Sequence, residues 1–335
     1  MSQFYKMLFF MTLIMGTLIT ISSYSWMGMW IGLEINLLSI IPLLSETKNL
    51  YPSESALKYF ITQALASAIL LFSIVTSLNI SEYLTLEYNY FILMIMNSAL
   101  LTKMGAAPFH AWFPEVMEGL SWINCLIMLT WQKLAPMVLL MYNTKMTLFL
   151  SMVIVFSSVI SGILGLNQIS LRKIMAYSSI NHIGWMISSM LNSQSIWFVY
   201  FITYSAITIN IILIFMNLNS FFLKQLFNSL NQNKTLKFLF ILNFLSLGGL
   251  PPFLGFFPKW LTINNLIQNN FFSVSLILII FTLISLFFYL RISFSTLVIN
   301  SQETIIYQEN FPMKYFILSM NFIFLAGLIA CTLIF

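Results

Sequence analysis

The stretch Pro108-Phe-His-Ala-Trp-Phe-Pro-Glu115 returns without gaps, 144 residues later, as Pro252-Phe-Leu-Gly-Phe-Phe-Pro-Lys259, with four of eight positions identical. Each copy interrupts an apolar run, residues 88 to 118 and 235 to 272, that is too long for one straight membrane helix, since about 20 apolar residues cross the hydrocarbon core. Proline withholds a backbone donor and bends a helix, so both runs read as broken helices. Backbone groups freed at membrane depth must be satisfied by protein or water, and a hydrated interior is the expectation.

Working outward on the same length rule, crossings are expected near residues 5 to 21, 24 to 44, 55 to 79, 88 to 118, 120 to 142, 146 to 168, 173 to 192, 194 to 217, 235 to 272, 273 to 299 and 313 to 335. The repeat offset carries the first four roughly onto the sixth to ninth. The chain therefore parses as an all-α polytopic membrane protein of about eleven transmembrane helices. A first five-helix repeat spans residues 1–142, a second spans 143–300, and one C-terminal transmembrane helix lies in 301–335. Five is odd, so the repeats are expected to be inverted, as in transporters that set broken helices near the bilayer midplane. Six of the nine prolines, Pro108, Pro114, Pro136, Pro251, Pro252 and Pro258, fall within the fourth, fifth and ninth crossings.

Composition points the same way. The 335 residues are 60% hydrophobic and only 7% charged, where soluble domains carry about 25% charged residues; so few charges cannot coat a globule. Cys125 and Cys331 lie far apart in apolar runs, which excludes a disulfide framework and a CxxC metal or redox pair. No G-x-G-x-x-G and no P-loop occurs, so neither a nucleotide, a redox cofactor nor a metal is expected to bind this chain. The net charge of +5 comes without a basic run, and membrane orientation accounts for it better than nucleic acid does.

Cytoplasmic or matrix-side loops collect Lys and Arg. With each long run counted as one broken crossing, Lys6, Lys48, Lys58, Arg172, Lys173, Lys224, Lys234, Lys237, Arg291 and Lys314 share one side, and only Lys145 faces the other. The N-terminus is therefore expected on the matrix side and the C-terminus opposite. Met1 to Lys6 leads straight into apolar residues, with no cleavage site or Arg-rich presequence. That is expected of a chain made in a bacterium or inside an organelle.

Three cations remain inside crossings, Lys103, Lys133 and Lys259, together with Glu34 in mid-span. A charge at bilayer depth costs about 2.5 to 3.5 kcal/mol on insertion scales, so such residues face an interior or a water path. Lysine suits a proton relay because desolvation and a neighbouring cation lower its pKa, whereas a nearby carboxylate raises it. Each pKa unit is about 1.4 kcal/mol, and a charge moved against 100 mV needs about 2.3 kcal/mol, so shifts of a few units have the right size. Glu34 and Lys103 form the natural pair, with Lys133 and Lys259 as further stations.

Each of these residues has a competing static reading. Glu34, Lys103 and Lys133 can act as fixed counter-ions between helices, and Lys259, beside a break, can snorkel to a surface. His110 is a secondary relay candidate or a histidine that satisfies backbone. Ser178, Asn181 and His182 share one helical face by i, i+3 and i+4 spacing, which fits a water path and, equally, polar bonding between helices. Glu115 and Glu118 read as a solvated loop beside the first break.

The stretches Trp30-Ile-Gly-Leu-Glu-Ile-Asn36, Glu54-Ser-Ala-Leu-Lys-Tyr-Phe60, Gly105-Ala-Ala-Pro-Phe-His-Ala-Trp-Phe-Pro-Glu115, Thr130-Trp-Gln-Lys-Leu-Ala-Pro136, Tyr177-Ser-Ser-Ile-Asn-His-Ile-Gly-Trp185 and Leu247-Gly-Gly-Leu-Pro-Pro-Phe-Leu-Gly-Phe-Phe-Pro-Lys-Trp260 together resemble the antiporter-like membrane subunits of mitochondrial respiratory complex I, insect type. The likeness runs in order from about residue 6 to 300; the last crossing matches mainly in hydropathy. The 33 Phe and 21 Met, with almost no Arg, are the residue set that A/T-rich codons of such a mitochondrial genome yield. The resemblance implies a proton-translocating unit of the inner membrane. The NADH, FMN, iron-sulfur clusters and ubiquinone are then expected in partner subunits, and neighbouring antiporter-like subunits, accessory subunits and phospholipid, cardiolipin included, as partners. The essential intramembrane charges of that family correspond here to Glu34, Lys103, Lys133 and Lys259.

Two departures narrow the likeness. Against that resemblance, three N-terminal helices of bacterial relatives are expected to be missing, as in animal members, and no long lateral C-terminal helix is expected, which argues against the distal antiporter-like subunit. Two other classes of function stay in play. One is a self-sufficient cation/proton antiporter, which would exchange sodium without a soluble arm. The other is a scaffold subunit whose buried charges only hold helices in register.

Overall fold

The computed structural model describes residues 2–45, 49–80, 86–231 and 234–298, together with residues 319 and 321. Apart from those last two positions, the crossing expected at 313 to 335 lies outside the described residues, as do Lys48, Lys314 and Cys331.

The described residues are almost wholly helical. In chain order the helices are α1 (Ser2–Ser22), α2 (Trp26–Leu44), α3 (Leu50–Ile80), α4 (Leu86–Met104), α5 (Trp112–Gly119), α6 (Trp122–Leu129), α7 (Trp131–Tyr142), α8 (Thr147–Gly165), α9 (Leu171–Met190), α10 (Gln194–Leu218), α11 (Leu223–Leu230), α12 (Lys234–Gly248), α13 (Phe256–Gln268) and α14 (Phe272–Val298). Among the described residues the extended backbone is limited to one isolated bridge, Ser170 to Phe222. Among the described residues seven stretches are long and apolar enough to cross a membrane: Phe4–Ser22, Trp26–Leu44, Leu50–Leu78, Trp122–Tyr142, Thr147–Gly165, Gln194–Leu218 and Phe272–Val298.

The three other expected crossings that lie within the described residues fall short of that rule for physical reasons. Helix α9 covers 20 residues but carries Ser178, Ser179, Asn181, His182, Ser188 and Ser189, all buried. Seventeen of its 20 residues are buried, so it is wrapped by protein and has no need of a lipid-facing apolar surface. The two interrupted runs are divided into α4 with α5 and α12 with α13. At about 1.5 Å per residue, the 15 residues of α12 reach only about 22 Å, against a core of about 30 Å.

The two breaks are built alike. Helix α4 stops at Met104 and α5 starts at Trp112; α12 stops at Gly248 and α13 starts at Phe256, each pair at the sequence repeat's own offset. Gly105 (φ 74°) and Gly249 (φ 78°) follow the stops in the left-handed region, where L side chains are strained. Gly105 N–H donates to the Thr102 carbonyl and Ala106 N–H to Leu101, while Gly249 N–H donates to Ser246 and Leu250 N–H to Leu245. This is the paired Schellman bonding that satisfies the last carbonyls of a helix. Downstream, Phe113 N–H donates to His110 at 2.9 Å and Phe257 N–H to Leu254 at 3.2 Å. The peptides Ala107–Pro108 and Pro251–Pro252 are both cis.

The chain divides into two compact units, Met1–Val153 and Ile154–Phe335. Within the first, α1 and α2 pack along a seam of small residues: a Cβ on Gly32 would stand 2.6 Å from Thr20 Cγ2 and 2.8 Å from its amide nitrogen. Such close backbone approach is how helices associate where lipid supplies no hydrophobic drive. Helix α3 packs on α4 and α5, and α4 on α7. The single crossing expected at 120 to 142 carries an interruption of its own at Thr130 (φ −114°, ψ −71°), between α6 and α7. Within the second unit, α10 packs on α9, α12 and α13, and α14 on α12.

Candidate functional site

In the first unit the charged candidates come from α2, α4 and α7. Lys103, in the last turn of α4, is 7% exposed, and Lys133 on α7 is 1% exposed. Glu34 on α2 is half-buried, and its Oε1 is shielded from solvent without a hydrogen-bond partner. Glu34 acts electrostatically on both Lys103 and the Tyr59 phenol, with no direct ion pair to either among the described residues. The Lys133 ammonium lies 5.6 Å from the centroid of the Phe113 ring, within reach of a cation–π attraction. The sequence-matched Phe113 therefore carries the first break up to a relay candidate.

Lys103 borders a polar cavity of about 10 Å³ of space for water centres, lined by Leu33, Asn36, Leu37, Tyr59, Gln63, Lys103, Gln132 and Pro136. That is close to the volume one water requires, and the wall supplies enough polar partners to hold it. Gln132 Nε2 donates to Asn36 Oδ1 at 2.8 Å, Tyr59 Oη donates to Gln132 Oε1 at 3.3 Å, and Gln63 Nε2 donates to the Lys103 carbonyl at 3.4 Å. Pro136 sits inside α7 and withholds the amide that would otherwise bond the Gln132 carbonyl four residues earlier.

In the second unit Lys259, in the first turn of α13, is 6% exposed. Its ammonium donates to the Gly248 carbonyl at 2.9 Å and the Leu247 carbonyl at 3.2 Å, and lies 5.8 Å from the centroid of the Trp185 ring. Trp185 belongs to α9, which also carries the secondary candidates. His182 Nδ1 and the Tyr200 hydroxyl share a 2.9 Å hydrogen bond, and the His182 ring lies 5.0 Å from that of Tyr204. Asn181 Nδ2 donates to Ser285 Oγ on α14 at 3.0 Å. Ser178 Oγ returns its proton to the Met175 carbonyl one turn back, at 2.8 Å.

The weaker candidates lie beside the first break. His110 is half-buried, with Nδ1 3.3 Å from the Pro108 carbonyl oxygen. Glu115, in the first turn of α5, pairs with Lys58 at 3.2 Å, and Lys58 also pairs with Glu54 at 3.1 Å. No group of three or more His, Cys or acidic side chains among the described residues is placed to hold a metal.

Sequence reasoning missed Asn36, Tyr59, Gln63, Gln132 and Tyr200. A signal existed for some of them. Tyr59 and Gln63 are an i, i+4 pair, and Gln132 stands beside Lys133 and four residues before Pro136.

Long apolar helices around two similarly capped breaks, with a lysine buried at each, define an antiporter-like membrane protein. The chain belongs to the family described as NADH:quinone oxidoreductase/Mrp antiporter, transmembrane, whose profile matches residues 23–287. It is 50% identical over 332 residues to NADH-ubiquinone oxidoreductase chain 2 of Anopheles gambiae, covering 98% of this chain and 97% of that one. It is 48% identical over 298 residues to the chain 2 of Locusta migratoria, covering 89% and 87% of the two chains. Its fold is similar to a chain of respiratory complex I from Thermus thermophilus, with a TM-score of 0.88 at 24% identity over 98% of this chain and 78% of that one.

Proposed function

We propose that this chain is the chain 2 subunit of mitochondrial respiratory complex I, a proton-translocating membrane-arm subunit of NADH:ubiquinone reductase. NADH oxidation and ubiquinone reduction then occur in partner subunits that hold the NADH, FMN, iron-sulfur clusters and ubiquinone. The observation that carries the reading is the near full-length identity to curated chain 2 proteins, joined to three lysines buried to 7% exposure or less in a chain of apolar helices. Glu34, Lys103 and Lys133 form the relay of the first unit, and Lys259 is the station of the second. His110, Ser178, Asn181 and His182 are secondary members.

The inner mitochondrial membrane is the site of action, with the N-terminus on the matrix side and the C-terminus on the intermembrane-space side. Helices α12 and α13 count as one broken crossing, as do α4 and α5, which supports the eleven-crossing repeat reading of the sequence. Partners are the other membrane-arm subunits, neighbouring antiporter-like subunits, accessory subunits and phospholipid, with cardiolipin at the basic matrix-side loops.

Native electrophoresis of gently solubilised inner membranes, stained in the gel for NADH dehydrogenase and read by mass spectrometry, tests the assignment. The chain is expected only in a stained band far larger than itself. A small unstained band holding the chain alone would overturn the reading in favour of a self-sufficient antiporter.

A further inference from the structure

The second break is held differently from the first. The last carbonyls of a helix have no following amide to bond, so each break must find donors elsewhere. At the first break the Lys103 carbonyl accepts from the neutral Gln63 amide. At the second the corresponding carbonyl, that of Leu247, and its neighbour on Gly248 accept from the ammonium of Lys259.

Room for that ammonium exists at one residue. A Cβ on Gly249 would stand 2.7 Å from Lys259 Cδ, 2.9 Å from Nζ and 3.1 Å from Cε. A Cβ on Gly105 would meet Phe113 Cβ at 3.1 Å. Both glycines answer the same backbone demand, but only Gly249 stands where a lysine must pass.

We propose that Gly249 is a positioning residue for Lys259: its missing side chain forms the slot in which Nζ is anchored to the Leu247 and Gly248 carbonyls, leaving one N–H to exchange. An ammonium has three N–H donors, and two are committed here. Proton transfer breaks the third Nζ–H bond, the electron pair stays on nitrogen, and the proton passes to a water. The neutral amine keeps two N–H groups for the same two carbonyls. Lys259 can thus load and discharge without leaving its anchor.

The inference rests on the relay reading of Lys259, and the test separates the two. Asparagine tolerates the left-handed region, so Gly249→Asn relieves the backbone strain while restoring the Cβ. In the assembled complex, reconstituted in proteoliposomes, protons translocated per NADH oxidised are measured for Gly249→Asn, Lys259→Ala and the double variant. Gly249→Asn is expected to fall to the Lys259→Ala value, with no further loss in the double variant. A structure of the Gly249→Asn complex is expected to place Nζ away from both carbonyls. Wild-type stoichiometry in Gly249→Asn, or Nζ still on the carbonyls, overturns the proposal. So does failure of Gly249→Asn to assemble where Lys259→Ala assembles, since Gly249 would then serve folding alone. Wild-type stoichiometry in Lys259→Ala removes the relay reading itself.

Discussion

Gln132 on α7 donates to Asn36 on α2 at 2.8 Å, and the same side chain accepts from Tyr59 on α3 at 3.3 Å. One amide thus ties three helices beside the cavity that Lys103 borders. Asn36 is 3% exposed, so losing its partner leaves a buried acceptor unsatisfied, at a cost of about 1 to 3 kcal/mol. Gln132→Leu is expected to lower the thermal midpoint of the assembled complex. Gln132→Glu keeps the acceptor toward Tyr59 but loses the donor toward Asn36 and brings an acid to membrane depth, and is expected to cost at least as much as Leu.

Arginine distinguishes a relay from a static counter-ion at Lys103 and Lys133. It keeps the positive charge but does not give up its proton in proteins. Lys103→Arg and Lys133→Arg are therefore expected to translocate fewer protons per NADH, as are the alanine variants. Wild-type stoichiometry in both arginine variants, measured in proteoliposomes, would return these lysines to a purely structural role.

Gly105 holds φ at 74° with Phe113 Cβ 3.1 Å from where its own Cβ would stand. Gly105→Ala is expected to destabilise the complex by about 1 to 2 kcal/mol through the left-handed backbone alone. Gly105→Asn is expected to cost less. Thermal unfolding followed by in-gel activity ranks the two, and equal midpoints would contradict the backbone argument.

Lys58 bridges Glu54 and Glu115, and all three side chains are more than 40% exposed. Solvent screens such pairs, whose usual worth is below about 1 kcal/mol. Lys58→Ala is expected to shift the thermal midpoint slightly at low salt and not at all at high salt. A large salt-independent loss would mean that this network is shielded in the assembled complex.

Asn181 joins α9 to α14 through Ser285, a type of bond worth about 0.6 kcal/mol on average between membrane helices. Asn181→Leu is expected to lower stability by that order and leave proton stoichiometry near wild type if bonding between helices is its whole role. A drop in stoichiometry at full assembly would make it part of the water path.

Much of this arrangement was legible in residue order. Pro108 and Pro252 announce both breaks, because proline withholds a donor wherever it stands. Lys103, Lys133 and Lys259 announce themselves because a charge in an apolar run needs a reason. Neutral polar residues carry no such penalty. Asn36, Gln63 and Gln132 look like any amide in a membrane helix until their partners, 96 residues apart for the Gln132 to Asn36 bond, are brought together. Thr130 interrupts its crossing without a glycine or proline to mark the place. The part played by Gly249 depends on Lys259 folding back over a turn that no periodicity describes.

The second break sets the end of a helix against a lysine, and a helix C-terminus carries the negative pole of the summed peptide dipoles, equivalent to roughly half an elementary charge. Lys103 rides in the last turn of α4, and Lys259 touches the last carbonyls of α12. A carboxylate counter-ion is silenced when it takes up a proton. Peptide carbonyls do not titrate, so the Lys259 ammonium has a fixed partial countercharge that no change of pH removes.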